Sequence, residues 1–284
     1  MQRMIVLKDS KALKKRLATM RSQSQSIGFV PTMGALHQGH LALVQQSKRQ
    51  CSVTVCSIFV NPTQFNDPRD FEKYPVTIEN DILLLEQNNT DILFIPSVAE
   101  MYPEGLKDGI HYDIGYLENI LEGYYRPGHF QGVCRVLHKF LDIVEPDVMF
   151  MGSKDYQQCM VVKRLIELFA IPTRLQIVDT LREPDGLAMS SRNLRLNARD
   201  RQSATAIYHA LNFIKENIHY KEIVGLRQGA AKMISEAGFE KIDYIEICDA
   251  QTLQPVTNIE GQTKLVALVA AFIGGVRLID NMMI

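Results

Sequence analysis

Two histidines separated by two residues, His37 and His40, stand in the segment Gly28–His40, which has residue types suited to phosphate chemistry. The segment begins apolar, breaks at the turn residues Pro31 and Gly34, and leads into another apolar run. This order is typical of a buried strand, a glycine turn and a helix start. If residues 37–40 form the first helical turn, both imidazoles lie on one face, beside the free N–H groups and positive dipole end that bind phosphate.

The same two histidines could instead be ordinary surface or core residues, because a short His-x-x-His pair often arises by chance. Zinc is a further alternative, but no third histidine, cysteine or carboxylate stands nearby at zinc spacing. The glutamate that follows the first histidine in zincins is also absent. Gly34 and Gly39 leave room for a nucleotide to approach the backbone, which favours the phosphate interpretation.

Two further polar turns follow predicted buried strands. Asn61 and Gln64 come after the strand Ser52–Val60 and offer amides suited to a small polar ligand, although a plain Asn-Pro turn is the favoured explanation of this motif taken alone. Lys154 lies in the turn Gly152–Asp155, where it could neutralise phosphate charge or simply be solvated. Because ligands of doubly wound sheets bind at the carboxyl ends of the strands, we expect these turns and the histidines at one crevice.

A fourth polar segment, Met189–Asn193, carries two serine hydroxyls and the Arg192 guanidinium, which suit phosphate oxygens. A surface turn leading into a helix capped near Asn197 would account for the same residues. Gln157 and Gln158 stand in the helix after Lys154, and either one could reach into the crevice.

Strands and helices alternate over the first 180 residues, which predicts parallel βαβ units in a Rossmann-like, doubly wound α/β sheet. The pattern then changes. We expect residues 1–179 to form a Rossmann-like nucleotide-binding domain, and residues 180–284 to form a smaller C-terminal α+β domain that carries the Met-Ser-Ser-Arg loop. The elements expected in that second domain are helices over Ala198–Ile218 and Val224–Ala237, followed by strands at Ile242–Asp249, Lys264–Ala271 and Val276–Asp280.

Composition excludes several classes of protein. The 31 basic and 32 acidic residues give a net charge of −1, so we expect neither nucleic acid nor a membrane surface as a partner. The apolar segment Leu265–Val276 contains Gly274-Gly275 and fits core strands better than a membrane span. The N-terminus lacks the pattern of a signal peptide, and five cysteines without a C-x-x-C pair favour a reducing cytoplasm.

The histidine motif H-x-G-H and the late Met-Ser-Ser-Arg loop are similar to the paired signature of the nucleotidyltransferase superfamily, which includes class I aminoacyl-tRNA synthetases. Within it, the chain resembles the pantothenate synthetase family, also called pantoate–β-alanine ligases, over essentially its whole length. The loop before the serines has Ala188 and no lysine, which leaves Lys154 as the phosphate-binding lysine. The segments that carry the resemblance are Pro31–His40, Phe59–Phe65, Tyr74-Pro75, Glu122–Phe130, Gly152–Gln158 and Ala188–Asn193.

The resemblance implies ATP-dependent ligation of (R)-pantoate and β-alanine, with pantothenate, AMP and pyrophosphate as products. In this family the pantoate carboxylate attacks the α-phosphorus of ATP, and the β-alanine amine then attacks the pantoyl adenylate. The resemblance also implies Mg²⁺ with ATP and a homodimer, for which Cys51–Phe59 is one plausible edge. Glu122–Phe130 is a candidate flap or wall. The sequence does not identify the protein ligand of Mg²⁺, and Asp81 is a guess.

The same resemblance assigns roles to individual residues. His40, His37 and Lys154 are the implied catalytic residues, as donors to the phosphates. Gln64 and Gln158 would orient pantoate, and Gln64 would also lie near β-alanine. The implied ATP-binding residues are Met33, Gly34, Ala35, Leu36, His37, Gln38, Gly39, His40, Gly152, Ser153, Lys154, Asp155, Leu181, Met189, Ser190, Ser191 and Arg192.

Three rival functions remain. A simple adenylyltransferase shares H-x-G-H, but its phosphate-bearing second substrate would need more basic residues near Asn61–Phe65. A class I aminoacyl-tRNA synthetase fragment is disfavoured by the net charge and by the lack of a basic anticodon-binding domain. A catalytically silent nucleotide-binding protein would lack some of His37, His40, Lys154 and Arg192, and all four are present.

Overall fold

The computed structural model describes residues 3–106, 109–259 and 264–284, and the chain divides into two compact units. The first comprises the described residues up to Gly152 together with Gln157–Asp179. The second comprises Ser153–Tyr156 and Thr180–Ile284. The domain division expected from the sequence stays a prediction. That division put Ser153–Tyr156 in the first domain, whereas the contacts of these residues place them in the second unit.

The first unit is built on a six-stranded sheet in which every described strand pair is parallel. The strand order is β1-β4-β3-β2-β5-β6. The expected Rossmann-like α/β fold is therefore confirmed. The strands are β1 (Ile5–Leu7), β2 (Ile27–Thr32), β3 (Val53–Ile58), β4 (Ile92–Phe94), β5 (Val148–Gly152) and β6 (Arg174–Val178).

Helices connect these strands, as parallel pairing requires. They are α1 (Ser10–Ser22), α2 (Gln38–Gln50), α3 (Pro68–Glu72), α4 (Ile78–Gln87), α5 (Val98–Met101), α6 (Leu121–Tyr125), α7 (His129–Val144) and α8 (Tyr156–Leu168). A short 3₁₀ turn, Pro62–Gln64, follows β3.

The order of the strands reverses between β2 and β5, which are neighbours through Gly28 with Val148 and Phe29 with Met149. The chain continues from β2 towards β3 and β4 on one side, and from β5 to β6 on the other. Such a switch point is where open α/β sheets bind ligands. The histidine turn follows β2, and the turn with Lys154 follows β5.

Close packing fixes the helix that carries the histidines. A Cβ at Gly28 of β2 would overlap the Ser47 hydroxyl on α2, so glycine lets the helix lie directly on the strand. The Ser47 hydroxyl is hydrogen-bonded to that of Thr54 on β3 at 2.8 Å. Leu41 and Val44 of α2 are buried in the same apolar cluster as Val30 of the sheet. These contacts hold α2 against the sheet along its length.

The third strand lies inside the sheet, paired with β2 on one side and β4 on the other. All six of its residues are buried. The suggestion that Cys51–Phe59 forms an edge for a dimer is therefore wrong, because its backbone hydrogen bonds are used within the sheet.

The second unit contains an antiparallel sheet with the order β7-β8-β9. Its apolar core joins the inner face of that sheet to Leu211 and Leu226 of two helices. The helix expected over Ala198–Ile218 is broken at Ala204 and Thr205. Among the described residues, no helix combines the length and apolar character needed to span a membrane. The elements are α9 (Ala198–Ser203), α10 (Ala206–Asn217), α11 (Ile223–Glu236), β7 (Lys241–Asp249), β8 (Leu265–Ile273) and β9 (Val276–Met283).

Candidate active site

Asp81 of α4 holds the turn between β2 and α2. Its side chain is fully buried, and Oδ2 accepts the backbone N–H of Ala35 at 2.9 Å. Oδ1 accepts the N–H of Leu36 at 2.8 Å and the hydroxyl of Thr77 at 3.1 Å. The structure argues against the guess that Asp81 binds Mg²⁺, because the side chain is fully buried and both of its oxygens accept hydrogen bonds from the protein.

The turn uses left-handed backbone at two successive residues. Gly34 has φ +81° and Ala35 has φ +48°, a region that glycine enters freely and alanine only with strain. The N–H of Gly34 is bonded to the Thr32 hydroxyl at 3.2 Å. Since the N–H groups of Gly34, Ala35 and Leu36 all bond within the protein, the turn shapes the site and is not itself a backbone anion cradle.

The two histidines cap α2 together. His37 is the N-cap, so the helix begins one residue later than expected, at Gln38. His37 Nδ1 accepts the N–H of Gly39 at 3.2 Å, and His40 Nδ1 accepts the N–H of His37 at 3.3 Å. The ring centroids are 4.0 Å apart.

These two reciprocal hydrogen bonds, which form a capping box, determine which nitrogen of each imidazole ring carries the proton. A neutral imidazole that accepts at Nδ1 carries its proton on Nε2. His37 and His40 are therefore both Nε2–H donors, side by side at the positive end of a helix dipole. The expectation that the two rings lie together is confirmed. The spacing of the histidines did not indicate their tautomer, whereas the cap of α2 explains why both rings have the same one.

Asn61 fixes the amide of Gln64 in the turn after β3. Its Nδ2 donates to Gln64 Oε1 at 3.1 Å and to the carbonyl of Gly132 at 3.2 Å. Its Oδ1 accepts the hydroxyl of Tyr102 at 2.7 Å. Asn61 is only 1% exposed, so its amide serves the protein. Gln64 Nε2 lies 3.0 Å from the sulfur of Met33, which places Gln64 against the histidine turn.

Helix α7 supports the same turn from behind. His129 Nδ1 donates to the carbonyl of Gln64 at 2.7 Å, since a carbonyl can only accept. His129 Nε2 then accepts Arg126 Nη1 at 3.1 Å, and Arg126 pairs with Glu122 at 3.4 Å. A Cβ on Gly132 would overlap the carbonyl of Thr63. The segment Glu122–Phe130, expected as a flap or wall, thus helps to hold the backbone of Gln64 in place through His129.

The two glutamines of α8 have different environments. Gln157 is 2% exposed, accepts the N–H of Glu122 at 2.9 Å and donates to the carbonyls of Leu117 and Ile120 at 2.9 and 3.0 Å. Gln158 is partly exposed and takes no part in this network. Of the pair, Gln158 is therefore the one suited to a ligand.

The second unit holds the turn with Lys154. Asn281 of β9 donates through Nδ2 to the carbonyls of Ser153 and Lys154, both at 2.8 Å. The Ser153 hydroxyl is hydrogen-bonded to that of Thr180 at 2.9 Å. Asp155, the last residue of the turn, is exposed.

A hairpin in the same unit brings Leu181 and Met189 together, where the N–H of Met189 donates to the Leu181 carbonyl at 3.0 Å. Ser190 accepts the N–H of Arg192 at 3.3 Å through its hydroxyl, which caps the short 3₁₀ helix Ser191–Arg195. Ser191 is buried. The alternative of a serine-capped turn is thus observed for Ser190, whose hydroxyl hydrogen stays available as a donor.

Arg182 anchors this hairpin to β9. Its guanidinium donates to both oxygens of Asp280, at 2.6 and 3.1 Å, and to the carbonyl of Gly186 at 3.0 Å. Burial raises the pKa of the Asp280 carboxyl, and the charges of Arg182 and Lys154 oppose that shift. Both loops of the second unit that carry candidate residues are therefore fixed to one strand, β9.

Sequence reasoning missed the supporting residues, namely Asp81 as an anchor, Tyr102, His129, Gly132, Arg182, Asp280 and Asn281. Each acts on a partner distant in the chain, as with Asn61 and Tyr102 or Lys154 and Asn281. Local patterns carry no signal for such pairs. Glu122–Phe130 was the exception, because the resemblance had already drawn attention to it.

In the first unit, the two oriented imidazole donors and the amide of Gln64 suit stabilisation of an anion. The second unit, considered by itself, carries a turn with Lys154 and a loop with Arg192. Among the described residues, no three His, Cys, Asp or Glu side chains form a group that could hold a metal ion. In phosphoryl transfer, such donors position the reactants and stabilise charge, and they form no covalent bond to the substrate.

Comparison with known proteins gives one consistent result. The pantoate-beta-alanine ligase family model matches residues 5–283. A pantothenate synthetase from Cytophaga hutchinsonii is 44% identical over 99% of both chains, and one from Leptospira biflexa is 42% identical over 98% of both.

Solved structures agree with the sequence comparison. Pantothenate synthetase from Thermus thermophilus has a TM-score of 0.90 and 37% identity, covering 98% of this chain and 99% of its own. A pantoate-beta-alanine ligase from Francisella tularensis, complexed with beta-gamma ATP and beta-alanine, has a TM-score of 0.81 and 38% identity, covering 99% of this chain and 97% of its own. The chain therefore belongs to the pantoate–β-alanine ligase family.

Proposed function

We propose that this protein ligates (R)-pantoate and β-alanine at the expense of ATP, forming pantothenate, AMP and pyrophosphate through a pantoyl adenylate. The observation that carries the proposal is the shared cap of α2, which makes His37 and His40 paired Nε2–H donors. Family membership supports this chemistry over a simple adenylyltransferase. So do the amides of Asn61 and Gln64, which stand where a phosphate-bearing second substrate would need basic residues.

In the first step the pantoate carboxylate attacks the α-phosphorus of ATP, and the bond to the β-phosphate oxygen breaks. Negative charge grows on the departing pyrophosphate. His40 and His37 donate to the phosphate oxygens and lower the barrier, since donors oriented in advance need no rearrangement during reaction. The residues Met33–Gly39 line the nucleotide beside them, with the Asp81 anchor holding their shape.

Lys154 holds the β- and γ-phosphates, with Gly152, Ser153 and Asp155 near the nucleotide. Met189, Ser190, Ser191 and Arg192 contact the phosphates, and the backbone at Leu181 contacts adenine. The hairpin that joins Leu181 to Met189 supports assigning both to one ligand.

In the second step the β-alanine amine attacks the acyl carbon of the adenylate, an amide bond forms, and AMP leaves. Gln64 and Gln158 orient pantoate, and Gln64 also lies near β-alanine. The fixed amide of Gln64 supports this role, because Asn61 engages only its oxygen and leaves its Nε2 directed towards Met33.

Mg²⁺ bound with ATP would neutralise part of the phosphate charge, and phosphate oxygens and water would mainly hold it, as is usual for this ion. The buried carboxylate of Asp81 supports this assignment, because both of its oxygens accept hydrogen bonds from the protein. A homodimer and a cytoplasmic location complete the proposal. All five cysteines are free thiols, which suits a reducing compartment.

The adenylate is tested by exchange of radiolabelled pyrophosphate into ATP without β-alanine. We expect exchange that requires (R)-pantoate, because only a reversible first step returns the label to ATP. (S)-Pantoate is the matched control substrate. Exchange that is indifferent to pantoate, or its complete absence, would contradict the two-step ligation.

A further inference from the structure

In the second half of β9, the adjacent residues Asp280 and Asn281 bind two separate loops of the second unit. Asn281 bonds to the turn with Lys154, and Asp280 bonds through Arg182 to the hairpin that leads to Met189. Asn281 is only 6% exposed. We propose that Asn281 is a positioning residue for Lys154. This inference rests on the proposed contact of Lys154 with the phosphates of ATP.

The geometry explains how one amide can direct a lysine. Asn281 Nδ2 carries two hydrogens and lies 2.8 Å from each of two successive carbonyls, those of Ser153 and Lys154. These carbonyls belong to the peptide planes on either side of the Lys154 Cα. Because both planes are fixed, the backbone dihedrals of Lys154 are fixed, and so is the direction of its Cα–Cβ bond.

Asn281 is itself held rigidly. Its N–H donates to Asp280 Oδ1 at 2.8 Å, and its carbonyl accepts Arg182 Nη2 at 3.0 Å. The same guanidinium holds the carbonyl of Gly186 in the hairpin. The lysine turn and the serine–arginine loop therefore share one reference point, which keeps two sets of phosphate contacts in register.

Asn281→Leu removes both donors at similar size. We expect the KM for ATP to rise roughly tenfold, corresponding to the loss of one or two hydrogen bonds that order the lysine. The KM for pantoate should stay within about twofold, since the pantoate residues lie in the other unit. Asn217→Leu is the matched control, because its amide also donates to a backbone carbonyl, that of Phe213 at 2.9 Å, away from the lysine turn.

Coupling to the lysine separates positioning from a general structural role. The Kd for ATP is measured by calorimetry for wild type, Asn281→Leu, Lys154→Ala and the double variant, with unfolding midpoints for each. If Asn281 acts through Lys154, Asn281→Leu weakens binding in the wild type and has no further effect in Lys154→Ala. Equal weakening in both backgrounds, or none in the wild type, overturns the inference.

Two controls keep the result interpretable. Asn281→Ser is smaller and keeps a donor, so it completes the same cycle if Asn281→Leu does not fold. Wild-type protein that binds ATP but forms no pantothenate would contradict the proposed function, whereas the binding cycle would still decide whether Asn281 and Lys154 are coupled.

Discussion

At the scale of single residues, hydrogen bonds within the protein orient the candidate side chains, some from partners three positions away and others from partners far away in the chain. Asn61 orients Gln64 and is itself held by Tyr102, and His37 and His40 orient each other. Residue types and motif spacing were enough to single out the histidines and Gln64, whose roles at the site stay predictions. The role of Asp81 could not be predicted, because a carboxylate on a helix gives no local sign that it will meet a turn 46 positions earlier.

The tautomer of His40 gives a sharp prediction. Asparagine at this position keeps an acceptor where Nδ1 stands but has no donor in place of Nε2–H. We expect His40→Asn to fold normally and to lower kcat by roughly 100-fold or more, as is typical when one oriented donor is lost. Single-turnover formation of adenylate measures this loss. His219→Asn is the surface control, and turnover of His40→Asn near the wild-type rate would disprove the role.

The anchor at Asp81 makes a prediction about stability. In Asp81→Asn an amide NH₂ group replaces one carboxylate oxygen. This new donor faces an N–H group of the turn, which is also a donor. We expect the free energy of unfolding to fall by about 3 kcal/mol, since a buried donor is left unpaired and charge-assisted bonds are lost. Denaturant unfolding measures the change. Asp142→Asn, at a largely exposed carboxylate, should change stability by less than about 0.5 kcal/mol. If Asp81→Asn lowered the free energy of unfolding by as little as Asp142→Asn, the role of Asp81 as the anchor of the turn would be contradicted.

At the scale of secondary-structure elements, close contact between helices and turns decides the geometry of the site. Apolar runs and turn residues predicted the strands and most helices to within a few residues. The break at Ala204 and Thr205 was missed because no glycine or proline stands there. The start of α2 shifted by one residue because histidine is an unusual N-cap. The contact of α7 with the Pro62–Gln64 turn had no local signal at all.

Gly132 tests that contact. Alanine there would overlap the Thr63 carbonyl, so the Pro62–Gln64 turn or α7 must move. We expect Gly132→Ala to lose about 1–3 kcal/mol of stability and to raise the KM for pantoate and β-alanine. Gly225→Ala, in α11 with open space at the Cβ, should instead gain roughly 0.5–1 kcal/mol. Unchanged KM values and stability for Gly132→Ala would rule out close packing as the device that fixes Gln64.

At the scale of the whole molecule, alternating strands and helices predicted a parallel sheet, but its strand order required the structure. Order depends on which strand each crossover returns to, and that choice is made by packing between residues far apart in the chain. The same packing buries most of the cysteines. Burial raises the pKa of Cys56, Cys134 and Cys248 to about 12.

These thiols predict a loss of stability in alkali. Between pH 9, where an exposed thiol ionises, and about 12, the unfolded chain holds fewer protons than the folded protein. The stabilisation is therefore complete below pH 9 and disappears as the pH rises towards 12. We expect Cys56→Ala to make the decline shallower by about 1.4 kcal/mol per pH unit in this range. Cys51→Ala, at a half-exposed thiol, should alter the slope less, and equal slopes for Cys56→Ala and wild type would contradict the prediction.

The most direct test of the two-step ligation is AMP release from ATP, Mg²⁺ and (R)-pantoate, measured with and without β-alanine. We expect release to be slow without the amine and to rise steeply when it is added, with pantothenate appearing in equal amount. AMP release that does not respond to β-alanine, or that proceeds without pantothenate, would contradict the proposed reaction.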